Sequence, residues 1–113
     1  MNDCIFCKII DGSIPSKKVY EDEKILAFRD IAPQADVHVL VIPKEHVASS
    51  ANDINAENCE IVGYIFAKIP EIAGLAGVDS YRIINNCGDK AGQTVKHIHF
   101  HILSGDNLSE KLV

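Results

Sequence analysis

Apolar and polar residues alternate over His97-Ile98-His99-Phe100-His101-Ile102, with Leu103 closing the run. A period of two is that of a β-strand, whose successive side chains point to opposite faces. His97, His99 and His101 are therefore predicted to share one face, roughly 6.5–7 Å apart along the strand, with Ile98, Phe100 and Ile102 packed into a core behind them. Val37-His38-Val39-Leu40-Val41-Ile42 is the most apolar short run and reads as a central strand that Pro43 stops. Lys18-Val19-Tyr20 and Ile25-Leu26-Ala27-Phe28 read as an antiparallel pair joined by Glu21-Asp22-Glu23, and residues 80–85 as a further strand.

Between positions 55 and 73 the period changes. Ile61, Val62, Ile65, Phe66, Ile69 and Ile72 recur at three and four residues, which predicts a long amphipathic helix with Asn55 as N-cap and Gly74 as terminator. Pro70 lacks a backbone donor and is expected to bend the last turns or end them early. A short helix is predicted over Cys4-Ile5-Phe6-Cys7-Lys8-Ile9-Ile10, capped by Asp3 and ended by Asp11-Gly12. The elements sum to one α+β domain over residues 1–113, with roughly five antiparallel strands and one long and one short helix. Both helices are expected on the sheet face opposite the histidines.

A chain of 113 residues can bury a core yet benefits from a partner subunit, and an apolar strand near an edge at residues 78–85 predicts a homodimer. Sixteen acidic against eleven basic residues give a net charge of −5, which disfavours a nucleic-acid or anionic-membrane surface but leaves room for a phosphate in a local pocket. No apolar window approaches a membrane span of about 18 residues, and Met1-Asn2-Asp3-Cys4 carries no basic leader, so a cytoplasmic protein is expected. In that setting the four cysteines, at 4, 7, 59 and 87, read as reduced thiols or metal ligands rather than disulfides.

Three imidazoles in register are costly when buried unpaired and pack no better than Thr or Val, so they mark a site. Its floor is expected at Gly88-Asp89-Lys90-Ala91-Gly92-Gln93-Thr94, where small residues let backbone N–H groups approach an anion and the side chains of Gln93 and Thr94 can reach its oxygens. Neither a P-loop order nor a dinucleotide fingerprint is present. His38, on a strand that can lie beside the histidine strand, is a candidate for orienting another imidazole. Cys4 and Cys7 offer two soft ligands at zinc spacing, which His46 and His97 would complete as a tetrahedral Cys2His2 set. Packing thiols and a redox pair are the alternatives, though the latter lacks its usual preceding strand.

Gly92-Gln93-Thr94-Val95-Lys96-His97-Ile98-His99-Phe100-His101 resembles the signature of the histidine-triad (HIT) nucleotide-binding family, and of its Hint branch in particular. Cys4-Ile5-Phe6-Cys7-Lys8-Ile9-Ile10, Tyr20-Glu21-Asp22, Ala27-Phe28-Arg29-Asp30-Ile31 and Val41-Ile42-Pro43-Lys44-Glu45-His46 match in order as well. The resemblance implies a HIT-like homodimer with a continuous sheet that hydrolyses nucleoside 5′-phosphoramidates or related esters of AMP and GMP. It implies His99 as nucleophile, supported by His38, His97 and His101. Ile5, Phe6, Phe28, Asp30 and Ile31 match the base and ribose pocket; Asn86, Gly92, Gln93 and Thr94 match the phosphate environment. His38 would orient the His99 imidazole, directly or through a backbone relay, and His101 would bond to a phosphoryl oxygen. Cysteine-bearing bacterial members hold a structural zinc, and no Mg²⁺ is demanded, because no carboxylate cluster adjoins the histidines. One departure follows His101: the chain reads Ser104-Gly105-Asp106-Asn107-Leu108 where the family often has Gly-Gly-Arg and a longer tail. A non-catalytic purine-nucleotide sensor or adaptor and a structural metal-binding module are the other functions compatible with these residues.

Overall fold

The computed structural model describes residues 4–106 and residue 108. The expected Asp3 cap lies outside them. Five strands, β1 (Lys18–Glu21), β2 (Ile25–Arg29), β3 (Val37–Pro43), β4 (Arg82–Ile84) and β5 (Phe100–Ser104), form one antiparallel sheet in the order β1-β2-β3-β5-β4. Two helices, α1 (Ile5–Ile10) and α2 (Glu60–Leu75), complete an α+β fold. β3 takes the centre because every residue after Val37 is buried, which suits a strand covered on both faces. No helix among the described residues is long and apolar enough to cross a membrane.

Strand alternation divides the core in two. Ile25, Ala27, Val39, Val41, Phe100 and Ile102 pack with Ile65, Ile69 and Ile72 of α2 on one face. Leu26, Phe28, Leu40 and Ile42 point the other way, and Phe6 of α1 covers them. Only the long helix thus lies opposite the histidines; the short one lies on their face. The reason is that the sheet is apolar on both sides, and the histidine side needs a cover too.

Element ends differ from the expectation where backbone groups find other partners. α2 begins at Glu60 with Cys59 as N-cap, while Asn55 Oδ1 accepts from the Glu57 and Asn58 N–H groups and closes a turn upstream. Pro70 sits inside α2, which continues past Gly74 to Leu75; Ile69 and Ile72, on either side of the proline, are buried against the sheet and hold that turn. The reversal falls at Gly77, whose φ of 89° favours glycine. β5 starts at Phe100 rather than His97, since the Ile98 N–H is taken by the Ala48 carbonyl and the His97 and His99 carbonyls accept from side chains. Asp22 ties the β1–β2 turn to α2 by accepting from the Tyr20 and Tyr64 hydroxyls, which hold its carboxyl well below the usual range.

Candidate active site and metal-ligand cluster

The register places Leu40 opposite His101 and His38 opposite Leu103, so that β3 and β5 bring His38 and His101 together across the ladder. Their rings meet at His38 Nε2 and His101 Nδ1, 2.8 Å apart. On the far side of His38, Nδ1 accepts from the Gln34 N–H at 3.0 Å. An acceptor at Nδ1 of a neutral imidazole puts the proton on Nε2, which then donates to His101 Nδ1. By the same logic His101 carries its proton on Nε2, a buried donor with no partner among the described residues. Asp30 adds its carboxylate 3.5 Å from His38 Nε2.

His99 is oriented differently from the expectation. Its Nδ1 lies 2.8 Å from the His97 carbonyl, which can only accept, so Nδ1 carries the proton and Nε2 keeps its lone pair. The backbone of His97 therefore orients His99, and His38 acts on His101 instead. Phe6 stands edge-on to the His99 ring at 4.9 Å and limits its rotation. Burial lowers the proton affinity of His38, His99 and His101, the last to about 4, with neighbouring imidazoles adding to the effect at His101. Burial thus favours the neutral form of all three.

Ile5, Phe6, Phe28, Asp30, Ile31, Thr94, His99 and His101 line one pocket of about 250 Å³. Ile31, 97% exposed, stands at its rim. Asn86, Gly92 and Gln93 are not among its lining residues. Gln93 is committed elsewhere, its Oε1 accepting from the Gly88 N–H and its Nε2 donating to the Ser49 and Val95 carbonyls. The side chain expected to grip phosphate oxygens instead fastens the glycine loop. Sequence reading also missed Ile14, Ser16, Leu40 and Val95 as lining residues. Leu40 shares a strand face with His38 and was legible from alternation; nothing marked Ser16. A larger hollow of about 390 Å³, walled by Glu23, Glu45, Glu57, Glu60 and Tyr64, contains no imidazole.

The His97 ring does not face the pocket. It is fully buried, donates from Nε2 to the Pro43 carbonyl at 2.8 Å and turns Nδ1 toward Cys4 Sγ at 3.3 Å and Cys7 Sγ at 3.6 Å. His46 does the same, with Nε2 on the Lys96 carbonyl at 2.8 Å and Nδ1 3.4 Å from Cys7 Sγ. Bonds of about 2.3 Å to sulfur and 2.0–2.1 Å to nitrogen at a tetrahedral angle set S and N about 3.6 Å apart. The observed spacings fit that figure, and both rings make the N–H to carbonyl bond that fixes a metal-binding tautomer. Asp30, His38 and His101 also cluster within 4.8 Å. Their chemistry differs, because the Gln34 N–H keeps the proton on His38 Nε2 and leaves no lone pair there for a cation.

Fold and site together define an α+β domain whose central sheet carries imidazoles beside an apolar pocket. Residues 3–112 match the family model described as scavenger mRNA decapping enzyme C-term binding. The chain is similar to an uncharacterized HIT-like protein of Rickettsia prowazekii, 45% identical over 92% of this chain and 88% of that one. It is also similar to the solved structure of a histidine triad protein from Clostridium difficile, 50% identical with a TM-score of 0.91 over 98% and 97% of the two chains. A HIT family hydrolase from Clostridium thermocellum is 43% identical, with a TM-score of 0.94 over 100% and 99%. The chain belongs to the histidine-triad, HIT, family.

Proposed function

We propose that the protein is a nucleotide hydrolase that cleaves purine nucleoside 5′-phosphoramidates to AMP or GMP. One observation carries the reading: inside a pocket, the His97 carbonyl leaves the lone pair of His99 Nε2 free, while His101 Nε2–H nearby lacks a partner among the described residues. His99 Nε2 attacks the α-phosphorus, the P–N bond breaks and the nitrogen leaves as an amine, taking its added proton from solvent, to which the second step returns one when water is split. Water then cleaves the P–Nε2 bond, releasing the nucleoside monophosphate and restoring His99. His101 Nε2–H bonds to a phosphoryl oxygen and stabilises the charge that develops on it. Phe6 and Phe28 flank the base and Asp30 accepts from the ribose hydroxyls. No step needs Mg²⁺.

Adenosine 5′-phosphoramidate without added Mg²⁺ is expected to yield AMP; AMP binding without turnover would overturn the enzyme reading in favour of the sensor. The pH profile follows from burial of His99. Protonation removes the attacking lone pair, and burial holds its proton affinity below the ordinary imidazole value near 6.5. Activity is expected to stay above half-maximal at pH 6.5 and to fall only at more acid values, so an acid midpoint above 6.5 contradicts the assignment.

Cys4, Cys7, His46 and His97 are proposed to hold a structural Zn²⁺, supported by the ligand spacings and the two carbonyl-fixed tautomers. Such a closed set fastens α1 to the chain around His46 and His97. Self-association is proposed through β4 and α2, because β4 is an edge strand and Phe66, Leu75 and Ile83 expose 46%, 57% and 38% of their surface. Light scattering is expected to give twice the chain mass of 12.4 kDa. A mass equal to one chain at all micromolar concentrations would show a monomer.

A further inference from the structure

Two buried side-chain polar atoms lack a hydrogen-bond partner among the described residues, His101 Nε2 and Ser16 Oγ. Both residues line the same pocket. The proposed chemistry uses the first and leaves the second unexplained. A hydroxyl removed from water without a replacement partner is destabilising, so an orphan at a pocket wall is a position kept for a ligand atom. Other hydroxyls of the chain show the contrast: those of Tyr20 and Tyr64 both donate to Asp22.

Ser16 is held in place from both sides. Two residues earlier, the Ile14 N–H bonds to the Lys8 carbonyl and folds the loop back onto α1; one residue later, the Lys17 carbonyl accepts from the Arg29 N–H at the end of β2. The serine is thus pinned between the helix that supplies Ile5, Phe6 and Ile9 to the pocket and the strand that supplies Phe28. Those four side chains can cover the faces of a flat ring, but they offer nothing to the nitrogen and oxygen atoms on its edge. The phosphate already has His99, His101 and Thr94, and the ribose has Asp30.

Resting on the nucleotide reading above, we propose that Ser16 is the residue that recognises the purine base, through a hydrogen bond from its hydroxyl to the heteroatom edge. A hydroxyl rotates to donate or accept. It can donate to a ring nitrogen or to O6 of guanine and accept from the amino group of adenine, so one residue serves both purines.

Calorimetry on the full chain tests this with AMP, GMP and ribose 5-phosphate as probes, against wild type, Ser16→Ala and Ser16→Thr. Ser16→Ala is expected to weaken AMP and GMP alike by about tenfold, the effect of one hydrogen bond to a buried group, and to leave ribose 5-phosphate unchanged. Ser16→Thr, which keeps the hydroxyl, is expected to stay within about threefold of wild type. Unchanged AMP and GMP affinity in Ser16→Ala overturns the proposal while leaving the nucleotide pocket intact. Equal weakening of ribose 5-phosphate also overturns it, because the hydroxyl would then act on the sugar or phosphate. Failure of wild type to bind any of the three overturns the nucleotide reading itself. Far-UV circular dichroism and a thermal melt check separately that Ser16→Ala folds.

Discussion

His99→Ala is expected to lower turnover of adenosine 5′-phosphoramidate by at least about 10³-fold, the order expected for deleting a covalent nucleophile. AMP affinity should change far less, because Phe6, Phe28 and Asp30 remain. That split separates a nucleophile from a binding group: loss confined to kcat is the mark of an interaction made only on the reaction path. Rapid-quench mass spectrometry of the wild-type protein should find a transient nucleotidyl adduct on His99. His99 is suited to this step and its neighbours are not. His97 has its Nε2 proton on Pro43 and its Nδ1 among thiols, and His101 presents a proton rather than a lone pair to the pocket. Normal activity in His99→Ala, or an adduct on another residue, would overturn the assignment.

Cys4→Ser is expected to abolish binding of one zinc per chain and to lower unfolding free energy by at least about 3 kcal/mol, as loss of a structural metal does. AMP affinity should fall with it. α1 has six residues, too few to persist on propensity alone, so its position depends on Phe6 and on the two thiols at its N-terminal turn. Phe6 packs between the two halves of the site, with its ring 5.8 Å from that of His97 and 4.9 Å from that of His99. Losing the proposed metal bonds of those thiols is therefore expected to loosen the wall formed by Ile5 and Phe6. Elemental analysis, thermal melts and calorimetry with AMP read the three effects separately. A metal-free wild-type protein with unchanged stability would leave Cys4 and Cys7 as packing thiols.

Part of this protein was legible in its residue order. Alternation placed Ile98, Phe100 and Ile102 in the core under α2 and His99 and His101 at the pocket, although only Phe100 onward is strand and the His97 ring turns to the thiols instead. The apolar run at Val37–Ile42 marked the central strand, since only a strand covered on both faces tolerates it. The Cys4 and Cys7 spacing likewise put two thiols on one turn at the start of α1, where both approach the His97 ring. Tertiary structure decided the rest. The order β1-β2-β3-β5-β4 joined His38 to His101 rather than to His99, and an apolar second sheet face drew α1 over the imidazoles. The working tautomers depend on the carbonyls of His97, Pro43 and Lys96 and on the N–H of Gln34. Every residue but proline carries the same backbone donor, and every residue the same acceptor, so no reading of side-chain identity could say which of them would meet an imidazole. The same holds for Ser16 and Gln93: both are polar residues in loops, and only the folded chain left one without a partner and committed the other's amide to backbone groups.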